Sequence, residues 1–138
     1  MKHIYFLLCM LAMAASAYSQ DYLKLMSYNI RNTKGTDNVR NVQRIANVIN
    51  NEAPDVVAVQ EWDSMTTRSN QTYVLAEVAE RTQMHANYAP AISFQGGKYG
   101  IGILSKEQPT SIRTFPLPGR EEKRMLMIAA FKNYFFAC

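Results

Sequence analysis

Cysteine and histidine are scarce in this chain, with two of each among 138 residues. Cys9 lies in an apolar N-terminal block and Cys138 is the final residue, so loss of that block leaves one thiol and no internal disulfide. Basic runs are missing as well. The formal charge is +4, but Lys and Arg are scattered, which argues against a surface that coats nucleic acid. No internal repeat or low-complexity tract is present. Nor is any apolar stretch long enough to anchor the chain: "IYFLLCMLAMAA" falls short of the ~20 residues a lone bilayer span needs.

That block reads instead as a leader. Met1-Lys2-His3 is a short basic start, the apolar stretch follows, and Ala15-Ser16-Ala17 supplies the small-x-small pattern that signal peptidases accept. The expectation is a signal peptide over 1–17, with an end as late as residue 20, and export to the periplasm or the cell exterior. Loss of Lys2 with the leader lowers the positive excess by one. Residues 21–138 then form one domain, and a hydrophobic content of 48% with 19% charged residues is ordinary for a globular protein.

Periodicity organises that domain. Leu23 to Ile30 alternates as a strand, with Leu23, Leu25, Ser27 and Asn29 on one face. Val39, Val42, Ile45, Ala46 and Ile49 recur at helical spacing, with Thr36, Asp37 or Asn38 as the cap and Pro54 as the stop. "DVVAVQEW" is a short continuous apolar run, typical of a strand buried on both faces. Strand, helix and buried strand make a β-α-β unit with parallel strands and a right-handed crossover. A second helix is expected over Asn70 to Thr82, with Leu75, Val78, Ala79 and Thr82 inward. Beyond it "ANYAPAISF", "YGIGILSK", "SIRTFPL", "RMLMIAAF" and "YFFAC" read as short antiparallel strands between turn-forming pairs.

The first strand ends unusually, on Tyr-Asn-Ile-Arg. Asn29 continues the row of Leu23, Leu25 and Ser27, and Glu61 continues the row of Val57 and Val59. In parallel strands both lie at the carboxyl end of the sheet, where open α/β folds place ligands. An amide oxygen and a carboxylate are hard donors. Magnesium takes one or two carboxylates, keeps several waters and completes its octahedron with substrate phosphate, so the pair makes a partial metal site. Taken alone, a Glu after a buried strand is more often a solvated turn residue, and an Asn at a strand end a turn former.

"LMSYNIRN" followed by "PDVVAVQEWD" resembles the endonuclease/exonuclease/phosphatase superfamily, the group of deoxyribonuclease I, apurinic endonucleases, sphingomyelinases and inositol-polyphosphate phosphatases. "KYGIGILSK" and "REEKRMLMIAAF" resemble two later segments of that family. The resemblance implies a deoxyribonuclease I-like four-layer α/β/β/α sandwich, of which this chain supplies about the first half. It implies a metal-dependent hydrolase of phosphate esters or phosphodiesters using Mg2+, with Mn2+ the alternative. Glu61 would bind the metal and Asn29 would help hold the metal–phosphate cluster. Arg124 would contact the scissile phosphate through its planar fork of donors, with Arg120 the alternative, and Lys98 and Tyr99 would line the rim.

The family's Thr-His, Gly-Asp-x-Asn and Ser-Asp-His motifs do not occur in the sequence, and His3 and His85 are its only histidines. His85 reads as a surface or loop residue. The expectation is therefore an amino-terminal part, truncated at its C-terminus, inactive alone and needing a missing C-terminal half. Two rivals stand beside this reading. One is a non-catalytic exported α/β module that pairs with another chain. The other is a nucleotide-binding protein prompted by "GGKYGIG", which fails because phosphate cradles need a helix after the glycines.

Overall fold

A computed structural model describes residues 22–119 and 122–138. The expected leader and Arg120 lie outside the described residues. Strand β1 (Leu25–Asn29) leads through a tight turn at Arg31–Thr33 to helix α1 (Val42–Glu52) and strand β2 (Val56–Ser64). A second turn, Thr67–Ser69, precedes helix α2 (Val74–Thr82). Five strands follow: β3 (His85–Phe94), β4 (Gly97–Ser105), β5 (Ser111–Leu117), β6 (Arg124–Ala130) and β7 (Phe135–Ala137). They form two sheets, β1-β2-β4-β3 and β5-β6-β7. No helix among the described residues is long and apolar enough to cross a membrane.

The β-α-β unit forms as the spacing predicts, with β1 and β2 parallel from Leu25↔Val56 to Asn29↔Gln60. Ile45, Ala46 and Ile49 fall on one stripe of α1 and are buried, the two isoleucines in one core with Val57, Val59, Trp62 and Leu104. Each of the two buried isoleucines contributes roughly 1.5–3 kcal/mol. The cap differs from expectation. Asn41, not residues 36–38, accepts the Arg44 amide hydrogen at 3.0 Å. Asp37 is engaged elsewhere, accepting from the Val39 N–H and pairing with the Arg44 guanidinium at 2.8 Å. Val39 is left exposed outside the helix. Helix α2 likewise starts at Val74 because Asn70 and Gln71 are left-handed, with φ of 54° and 56°.

The second core lies between the sheets, where Val56, Ala89 and Ile103 meet Met127, Ala129 and Phe131. Helices, first sheet and second sheet are thus three successive layers. Cover is uneven. On the inner side of β1, Leu25 is 53% exposed, and on the outer side of the second sheet Phe135 is 78% exposed. "GGKYGIG" is a hairpin: Gln95 and Gly96 turn with φ of 44° and 80°, and a strand follows them. Gly100 is needed for another reason, since a Cβ there would stand 2.1 Å from the Ala89 carbonyl. Pro90, at the bulge of edge strand β3, has no N–H to offer a foreign strand.

Candidate functional site

Strict alternation places Glu61 on the row of Val57 and Val59, and the structure corrects this. That row faces the helices, whereas the Asn29 row runs beside Val56, Ala58 and Gln60. A β-bulge changes the parity. Val59 pairs with Gly102 and Trp62 with Gly100, so three steps on β2 match two on β4. Trp62 thereby inherits the helix-facing row, and its side chain is fully buried. Glu61 is the bulged residue, with φ of 61°. Left-handed backbone costs an L-residue roughly 1–2 kcal/mol, so the surrounding ladder holds Glu61 there against its preference.

The bulge delivers Glu61 to Asn29. The Asn29 amide donates from Nδ2 to Glu61 Oε1 at 2.8 Å, and Asn29 Oδ1 accepts the Arg31 N–H at 2.9 Å. Both ends of the Asn29 amide are therefore used. The asparagine orients the carboxylate, and Glu61 Oε2 has no hydrogen-bond partner among the described residues. Next along β2, Gln60 donates to Ser27 Oγ at 3.3 Å and reaches Cys138 Sγ at 3.6 Å. Burial pushes the Cys138 thiol up.

Beyond the bulge stands a cation that sequence reasoning missed. Arg68 holds Asp63 with two bonds of 2.7 Å, Nε to Oδ2 and Nη2 to Oδ1. Asp63 is 1% exposed, so its charge depends on this fork. The guanidinium also lies 4.4 Å over the Phe94 ring and 5.3 Å over the Tyr99 ring. Bonding to Asp63, and further off the charge of Glu61, raises the pKa of Arg68. Burial first, then the Glu61 charge, pushes the Tyr99 phenol up to about 12. Tyr99 pairs across the ladder with Asp63 and stands under the Arg68 guanidinium. The only sequence signal for Arg68 was a basic residue five positions after an acid, which no regular element brings together.

The other expected residues are placed elsewhere. Lys98 alternates with Tyr99, so it lies on the helix-facing side, where Nζ donates to Ser93 Oγ at 2.9 Å. Arg124 opens β6 with its side chain 67% exposed and paired to Glu122 at 3.3 Å. It makes no hydrogen bond to Asn29 or Glu61. His85 is exposed at the start of β3 and pairs with Ser105, which pairs with Val56 at the far end of β2. Val56 and Glu61 are five steps apart along the strand, a distance of about 17 Å. His85 is therefore no partner for the pair. Among the described residues no group of three or more His, Cys, Asp or Glu could hold a metal ion.

The donor set fits one hard cation in part. Glu61 Oε2 offers a single oriented carboxylate oxygen, consistent with an ion that keeps most of its shell as water and substrate oxygen.

Comparison with known proteins bears on this geometry. The model of the Endonuclease/Exonuclease/phosphatase family matches residues 26–136. An endonuclease/exonuclease/phosphatase from Beutenbergia cavernae DSM 12333 superposes with a TM-score of 0.65 at 23% identity, over 78% of this chain and 33% of that one. A family protein from Leptotrichia buccalis C-1013-b gives 0.64 at 12% identity, over 84% and 53%. A functionally unknown conserved protein from Enterococcus faecalis V583 gives 0.61 at 17% identity, over 83% and 50%. At such identities these likenesses concern the fold, a deoxyribonuclease I-like sandwich, and this chain spans a third to about half the length of each neighbour. With the Asn and Gln-Glu strand ends in place and the family model spanning nearly every described residue, the chain belongs to the endonuclease/exonuclease/phosphatase family.

Proposed function

We propose that this polypeptide is part of a divalent-metal-dependent hydrolase of phosphate esters or phosphodiesters, with Mg2+ as the ion and Mn2+ as its substitute. One observation carries the reading: a left-handed bulge turns Glu61 toward Asn29 at the carboxyl end of two parallel strands. Such a constraint is expected where a side chain must be aimed rather than merely accommodated. Glu61 holds the ion. Asn29 fixes the carboxylate through Nδ2, an orienting role of the kind whose loss typically costs 10–100-fold in metal affinity. When bound, the ion would stabilise charge on the phosphoryl oxygens and leaving group. Tyr99 would line the site beside Glu61, and Arg124 or Arg120 would supply the phosphate contact.

Attack by water needs a base, and neither His85 nor any motif in these residues supplies one. Among the described residues, the exposed inner face of β1 and outer face of the second sheet support a catalytic unit that includes further polypeptide packed on them. The leader pattern over 1–17 supports export to the periplasm or beyond.

Calorimetric titration of the 138-residue chain with Mg2+ tests the metal reading without turnover. Binding should weaken at least about tenfold in Glu61→Gln and by a similar factor in Asn29→Ala. Equal affinity in Glu61→Gln would refute the assignment. Magnesium-dependent cleavage of a chromogenic phosphodiester by these 138 residues should not exceed that of a Glu61→Ala control. Turnover above the control would show that no further residues are required.

A further inference from the structure

Val39 apart, the exposed large apolar side chains of the described residues gather in three places. Two are the sheet faces just described; the third is a trough on the opposite, helix-bearing side of the first sheet, where Met65 and Tyr73 are exposed. Three adjoining hollows make it up. The innermost, about 310 Å³, lies between Leu75 and Ala76 of α2 and Ala86 and Tyr88 of β3. It shares Ser64, Tyr73 and Tyr88 with a middle hollow of about 560 Å³ floored by Met65 and Pro90. That in turn shares Pro90, Ser93 and Lys98 with an outer hollow of about 510 Å³, which wraps the β3 edge and ends at Lys123. Along β3 the trough runs from Ala86 to Ser93, about 23 Å.

Its chemistry changes from end to end. The inner part is aliphatic and aromatic. Among the described residues, Lys98 and Lys123 are the only charged ones in the lining, and neither has a carboxylate partner there. The walls are tied down. The Tyr88 hydroxyl donates to the Trp62 carbonyl at 3.4 Å, and burial pushes the phenol up. Thr67 donates to the Gln95 carbonyl from both N, at 2.9 Å, and Oγ1, at 3.0 Å, clamping the loop after β2 to the β3–β4 turn. A side chain at Gly97 would collide with the Ser64 carbonyl at 2.2 Å, so loop and hairpin are in contact. Met65 is displayed at their junction in left-handed backbone, φ 56°.

We propose that this trough is a binding site for a soluble amphiphilic anion, with a phosphate-class headgroup against Lys98 and Lys123 and an apolar chain along Met65, Tyr73, Tyr88 and Leu75. Charge complementarity selects the headgroup end, and a mainly apolar wall, interrupted at Ser64, selects the tail. The site is separate from Glu61, since Lys98 and Tyr99 point to opposite faces of β4. It does not depend on the metal reading.

Titration of the full 138-residue chain with monomeric dodecyl phosphate, followed by backbone amide NMR, tests it. Shifts should map to residues 64–65, 73–76, 86–93 and 97–98. Inorganic phosphate and dodecyl maltoside should each bind at least about tenfold more weakly, as should the doubly substituted K98A/K123A chain, whose changed side chains are exposed. Tyr73→Ser, also exposed, should weaken the phosphate amphiphile while leaving inorganic phosphate unchanged. Glu61→Gln should bind as the parent does. Equal affinity for the nonionic detergent, no effect of the paired lysine substitutions, dependence on Glu61, or binding only to vesicles of anionic phospholipid would each overturn the proposal.

Discussion

The two sheets use similar apolar alternations but differ in how many of their faces are covered. In the first sheet, β2 has helices on one side and the second sheet on the other, so Val56, Val57 and Val59 are all fully buried. In the second, β6 buries only alternate residues. Met127 and Ala129 face inward, while Phe115, Leu117 and Phe135 share the opposite face and are exposed. Strand sequence alone did not set this difference. Position in the stack did, and the candidate site lies where full cover gives way to partial cover, at the end of β2 beside exposed β1.

If cover is what matters, Trp62→Ala should show the largest effect, about 3–5 kcal/mol, because the indole is enclosed among Val74, Val78 and Leu104. Chemical denaturation measures it, and a loss under 1 kcal/mol would mean that the doubly covered region is not the stabilising core. Arg68→Met comes second. It removes the fork from a buried carboxylate, a change worth 3–5 kcal/mol in a sealed site, reduced to about 2 kcal/mol here because Arg68 itself is partly solvated. Double-mutant analysis with Asp63→Asn should recover much of that loss.

A smaller effect belongs to the covering layer. Hydrogen bonding to Arg44, with help from the Val39 N–H, lowers the Asp37 pKa to about 2. A depressed carboxylate contributes stability above its ordinary titration near pH 4 that is lost as pH falls through about 2. Wild type and Asp37→Asn should therefore differ slightly at pH 6, draw together as pH falls from about 4, and converge only below about pH 2 in acid unfolding. Smallest of all, Phe115→Ser on the uncovered face should change stability by no more than about 0.5 kcal/mol while reducing self-association in light scattering. A destabilisation like that of Trp62→Ala would erase the contrast between the sheets.

Much of this was readable in the sequence because it depends on period. The spacing of Ile45, Ala46 and Ile49 and the continuous run of Val56 to Val59 specified α1, β2 and their parallel partner β1. What resisted reading depends on interruptions of period. Nothing in "VQEWD" announces an extra residue in the ladder, so alternation assigned Glu61 to the helix-facing row although its nearness to Asn29 was anticipated. Asp37 and Asn41 are both good caps by chemistry, and the choice fell to Asn41 because Arg44 recruited Asp37. Arg68 reaches Asp63 through an irregular turn, a geometry for which linear spacing has no rule. The insertion of β4 between β2 and β3 is a matter of sheet order, which strand content alone leaves open.

The backbone at position 61 carries a genetic consequence. Glycine fits that conformation better than glutamate does, and glutamate codons lie one nucleotide from glycine codons. A single transition can therefore silence the carboxylate while leaving a chain that folds and accumulates normally. On the proposed metal-holding role of Glu61, abundance would be a poor guide to function among natural variants of this protein, and the identity of that one codon a better one.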